Sequence, residues 1–94
     1  MSKRGEKRIT LASSLGLATV GQLTSQFLEK RGAPIRVDAS KVEHVGGLGA
    51  QVLISAKSTW DADAVPFTVS KPSEAFVADL SLLGVAEKFE LAKD

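Results

Sequence analysis

The chain has 94 residues, 44% of them apolar and 24% charged, with a formal net charge of +1 and no cysteine. That length makes one domain, and the missing cysteines exclude disulfides, thiol nucleophiles and thiolate metal sites. No apolar run approaches the roughly 18 residues of a membrane helix, and the charged N-terminus lacks the apolar stretch of a secretory signal; the expectation is a cytoplasmic chain without membrane insertion.

Charge is unevenly spread. Lys3, Arg4, Lys7 and Arg8 crowd the start against Glu6 alone, whereas acidic residues outnumber basic ones in the remainder. Residues 1–7 read as a basic, flexible N-terminus and 8–94 as a single domain. A basic segment without interleaved aromatics offers bases nothing to stack on, so no nucleic-acid partner is expected.

Arg8-Ile9-Thr10-Leu11-Ala12 alternates polar and apolar and predicts a strand, with Leu15 and Leu17 left for a connection or a brief second strand. Leu17, Val20, Leu23, Thr24, Phe27 and Leu28 then recur at helical spacing. Thr19 is the expected cap, Lys30 and Arg31 suit the negative end of the helix dipole, and Gly32 suits a left-handed stop. Pro34 to Asp38 reads as a strand opened by a proline. A polar, glycine-rich link, DASKVEHVGGLG at 38–49, leads to a helix expected over 48–60, its inner stripe Leu48, Val52, Leu53, Ala56 and Trp60. Val65 to Val69 alternates as a strand. Ser70 or Ser73 can cap the next helix, Pro72 fits a first turn, and Phe76, Val77, Leu80 and Leu83 supply the buried face. Gly84 ends that helix, and Val85 to Leu91 adds a last turn or short strand carrying Phe89. The order is β-(β)-α-β-α-β-α, an α/β class with right-handed crossovers, mostly parallel after the first strand. The expected core is Val20, Leu23, Phe27, Val37, Val52, Leu53, Phe67, Phe76 and Leu80.

The inventory for catalysis is thin. His44 is the only histidine, so neither a metal site nor a paired acid and base is available from imidazoles. Asp38, Ser40 and His44 could be drawn as a triad, but all three lie on one short segment with no nucleophile elbow. Gly46-Gly47-Leu48-Gly49 stands between a strand and a helix, the setting of phosphate loops, yet it matches neither glycine-rich phosphate motif and no lysine opens the helix. The glycines are better explained by backbone that needs positive φ or close approach. No cofactor and no enzymatic activity are expected.

Val37-Asp38-Ala39-Ser40, eight residues, then Gly49 and a helix beginning Ala50-Gln51-Val52-Leu53 resembles the signature of STAS domains. These are the anti-sigma-factor antagonists of sporulation and stress control and the tails of sulfate transporters. Val65–Val69, Pro72-Ser73 and Leu83-Gly84-Val85 fill the later slots, so the likeness spans residues 8–89. It implies a mixed sheet of four to five strands flanked by three or four helices, and a non-catalytic, protein-binding regulator. Asp38 and Ser40 are the family-motif positions. Aligned one way the family's phosphorylated serine falls on Leu48, aligned another on Gly46; neither carries a hydroxyl, so no phosphorylation is expected there.

The chain is most similar to short stand-alone STAS proteins of proteobacteria. The resemblance implies docking on a cytoplasmic signalling protein, a chemotaxis histidine kinase first. The alternatives are the ATPase of a phospholipid-transport ABC system, an anti-sigma-factor antagonist role, or weak nucleotide or lipid binding. The expected docking surface is the corner Gly46, Gly47, Leu48 and Gly49 with the helix face after it. On a helical wheel Ala50 and Ile54 fall opposite the buried stripe, with Gln51, Lys57 and Ser58 beside them.

Overall fold

The computed structural model describes residues 6–92. Strand β1 (Lys7–Thr10), helix α1 (Leu17–Glu29), β2 (Ile35–Asp38), α2 (Gly46–Ala62), β3 (Phe67–Ser70), α3 (Glu74–Leu82), a 3-10 turn (Ala86–Lys88) and β4 (Glu90–Ala92) follow in order. The three four-residue strands form the body of the sheet, and the three-residue β4 lies beside β3, giving the order β1-β2-β3-β4. Every pairing is parallel.

Against the expected mixed sheet of four to five strands, the described sheet is parallel throughout, with three four-residue strands and the short β4, and Leu15–Leu17 forms no second strand. Only an isolated bridge between Ser14 and His44 stands there. The reason is local: Leu15 is buried and uses its N–H on the His44 carbonyl at 3.1 Å, so it packs inward as a loop anchor rather than extending an edge. The N-terminal boundary also moves. Lys7 pairs with Ile35 in β1, and Glu6 lies 3.6 Å from Arg36, so the domain begins before residue 8. Lys3 and Arg4 lie outside the described residues.

Sequential parallel strands with right-handed crossovers carry their helices on one face. Side-chain alternation agrees. Ile9, Ile35, Val37, Phe67 and Val69 point into the core, while Arg8, Thr10, Arg36, Asp38 and Thr68 take the other face. The core centres on Trp60, Phe76, Leu53, Leu80 and the strand residues. Phe27, Trp60 and Phe67 stack mutually with centroids 5.8 to 5.9 Å apart, and the Trp60 indole N–H donates to the Ala33 carbonyl at 2.7 Å. Of the expected core, Val20 and Val52 are only half-buried.

In α1 the buried stripe narrows to Leu23 and Phe27, whereas Leu17 is 85% and Leu28 66% exposed. Spacing had assigned both leucines inward, but a single neighbouring helix and one sheet face cannot cover so wide an arc. Gly16, not Thr19, holds the N-cap position, and the Thr19 hydroxyl donates back to the Ser14 and Gly16 carbonyls. Gly32 takes φ +95° beyond the helix, as its place suggested. Arg31 leaves the helix dipole for a partner: it grips Asp63, just past α2, through Nε at 2.9 Å and Nη2 at 3.2 Å. That hydrogen bonding holds the Asp63 carboxyl below the usual range. Ser73 caps α3 by accepting from Phe76 N at 3.0 Å, which leaves Pro72 ahead of the helix rather than in its first turn.

Candidate functional site

The glycine corner is not a loop. It is the first turn of α2, which begins at Gly46, two residues earlier than expected. Gly46 takes φ +70° with the His44 ring against it; an added Cβ would lie 3.1 Å from Nε2. Gly49 lies on Leu15, where a Cβ would come within 2.7 Å of the Leu15 Cβ and 2.9 Å of its carbonyl oxygen. Gly47 has open space around it. One glycine therefore serves the chain's turn, one serves close packing, and one faces solvent.

Helix α3 fixes this corner from the side. Asp79 accepts from Val45 N at 2.8 Å, and the Ser73 hydroxyl donates to the Val42 carbonyl at 2.7 Å. Val45 is the N-cap residue of α2 and brings no side-chain cap of its own, so the cap is supplied across the fold. A carboxylate there also suits the positive end of the helix dipole. His44 Nδ1 lies 3.6 Å from the same Asp79 oxygen. Asp38 instead closes on Ser40, accepting its N–H at 2.9 Å. Hydrogen bonding from Ser40, aided by Lys71 and Lys41, holds the Asp38 carboxyl below the usual range. The charged neighbour of His44 is thus Asp79, and Asp38 serves a turn; the drawn triad is not assembled.

The expected docking face needs correction. Ala50 is 3% exposed and faces the core, Ile54 is half-buried and packs against it, and Leu48, assigned to the inner stripe, is 43% exposed. The true inner stripe is Gly49, Ala50, Leu53, Ala56 and Trp60. Hydropathy ranked Leu48 above Gly49, but α2 approaches Leu15 so closely that only glycine fits the inward position.

A shallow depression of about 290 Å³ does gather Gly47, Ala50, Gln51 and Ile54, together with Ser55, Leu83 and Val85. It lies between α2 and the segment after α3, and no lining residue is charged. Gly46, Leu48, Gly49, Lys57 and Ser58 do not line it. Lys57 pairs with Asp61 at 2.7 Å, one turn further along its own helix. Sequence reasoning missed Leu83 and Val85 as site residues. Their signal was present as the Leu-Gly-Val after α3, where an apolar residue follows the end of a helix. Nothing local marked Asp79.

Residues 2–92 match the protein-family model described as Mlab, STAS domain. The chain belongs to the STAS family. No curated protein matches it. STAS domains are generally non-catalytic binding modules, and the match supports a regulatory role of that kind. Among the described residues, no helix is long and apolar enough to cross a membrane, and no group of three or more histidines and carboxylates is placed to hold a metal. Gly46, at φ +70°, disfavours any side chain, while Leu48 on the first turn of α2 is exposed.

Proposed function

We propose that this STAS domain is a non-catalytic cytoplasmic regulator that docks a signalling protein on the depression between α2 and the end of α3. The observation that supports the reading is the uncharged depression itself, floored by Ile54 and walled by Leu83, with Leu82 86% exposed nearby. Depletion of charge at an apolar centre is the compositional mark of an interface core. The corner is poorly suited to a nucleotide phosphate or lipid head group, because the Asp79 carboxylate already serves the α2 N-terminus.

A chemotaxis histidine kinase is the first partner to test. The ATPase of a phospholipid-transport ABC system and an anti-sigma factor are the alternatives that short STAS proteins suggest. Calorimetry against all three, with parent, Gly47→Asp and Leu83→Asp, tests the reading. Both substitutions place a charge on the depression without entering the core, and Leu83→Asp should cost about 2 kcal/mol or more if Leu83 is an anchor. Ile54 is a poorer probe, since it also packs against the core. If a partner binds and both folded variants bind it as tightly as the parent, the docking face is elsewhere. If only the transporter ATPase binds, docking stands and the chemotaxis assignment falls.

A further inference from the structure

Helix α1 turns an uncharged face to solvent. A surface helix ordinarily carries charge on the side away from the core, yet residues 17–28 contain none, and Glu29 is the first charge of the helix. At about 100° per residue, Leu17, Gly21, Thr24 and Leu28 fall within roughly 60° of one another, and all four are exposed, forming one stripe about 16 Å long. Leu17 is 85% and Leu28 66% exposed, one at each end of it. Gly21 has no reason inside the fold. Its φ is not positive, and nothing lies within 4 Å of an added Cβ. Glycine weakens a helix interior, and what it permits on an exposed face is close approach of another backbone.

We propose that α1 is the contact face of a two-fold dimer of this chain, with two α1 helices packed antiparallel along this stripe. The spacing selects a second copy over another helix. Its intervals run four, three, four, so turned end for end Leu17 falls on Leu28 and Gly21 on Thr24. A two-fold interface requires that match, because the same patch must meet itself. Gly21 opposite Thr24 lets the helix axes approach at the crossing, with a leucine pair on either side. Antiparallel helices also bring opposite dipole ends together. Neither copy carries a charge into the contact, whereas a charged helix of another protein would lose hydration there without gaining a partner. Thr24 and Leu28 further wall a concavity of about 280 Å³ between α1 and α2, which offers Leu17 of the second copy a hole to enter. No α1 residue lines the docking depression, so the two contacts use separate residues.

A contact about 20 Å long covers less than the roughly 800 Å² per partner of a standard interface, so the dimer should be weak, with a Kd on the order of 100 µM. Sedimentation equilibrium of the full chain from about 10 µM to about 1 mM reads it. Leu17→Glu and Leu28→Lys should each weaken association about tenfold or more. Both keep the monomer folded, because an acid suits the first turn of a helix and a base the last. Mixed in equal amounts, the two variants should associate more tightly than either alone: the introduced charges meet at one end, and the remaining leucines meet at the other. Gly21→Gln should melt higher than the parent in dilute solution, as a better helix former, yet dimerise about tenfold more weakly. A chain still monomeric at about 1 mM, a dimer indifferent to any of these substitutions, or a mixture no tighter than its components would overturn the proposal.

Discussion

Gly49 meets Leu15 with no room for a side chain: a Cβ on the glycine would lie 2.7 Å from the leucine Cβ and 2.9 Å from its backbone oxygen. That contact sets how closely α2 lies on the loop before α1, and hence which α2 residues face inward. Gly49→Ala gains up to about 1 kcal/mol in helix propensity but must push Leu15 aside, an overpacking cost of about 1–3 kcal/mol. The expected net effect is a loss of stability of about 1–2 kcal/mol in denaturant unfolding. A variant more stable than the parent would show that the contact yields freely.

Gly47, two residues earlier, is the contrasting case, because nothing lies within 4 Å of its added Cβ. Gly47→Asp puts a carboxylate in the first turn of α2, where the dipole favours it by about 0.3–1 kcal/mol. The variant should melt no lower than the parent. A marked drop would mean that Asp79 already fills the electrostatic role and repels a second carboxylate.

Phe27 contacts both Trp60 and Phe67 and is 4% exposed, so Phe27→Ala removes the ring that joins α1 to the aromatic cluster. Its cost should be about 3–5 kcal/mol, enough to leave so small a domain largely unfolded. Loss of near-ultraviolet Trp60 dichroism at room temperature is the measurement.

Residues 44–49 contain no hydroxyl. Incubated with an anti-sigma-type serine kinase and ATP, the protein should take up no phosphate there, as mass spectrometry of the 44–49 segment can show. Leu48→Ser places a hydroxyl on the exposed first turn of α2 and should restore uptake, whereas Gly46→Ser should not, since its left-handed backbone resists a side chain.

Asp38 should contribute a pH-dependent share of stability. Its folded carboxyl titrates below its unfolded value, so the contribution is complete above an unfolded pKa near ~4 and is lost as pH falls through the folded one. Asp38→Ala should cost about 0.5–1 kcal/mol at neutral pH, with the gap to the parent closing below about pH 4. A gap that stays constant to pH 2 would show that the carboxylate's charge is not what Ser40 holds.

Periodicity alone determined the α/β order and the places of β2, α1 and α3, because period-two and helical patterns are local and survive without neighbours. The motif run from Val37 through Gly49 to Val85 made the family legible, since its spacing reflects a fixed succession of turns. Tertiary structure decided the rest. Which side of α2 faces inward turned on Gly49 against Leu15, a contact across more than thirty residues that hydropathy cannot rank. The cap of α2 came from Asp79 on α3, and the depression proposed for docking brings Leu83 and Val85 beside Ile54. Steric fit and hydrogen-bond partners belong to pairs of residues, and a single sequence records each member without saying which other it meets.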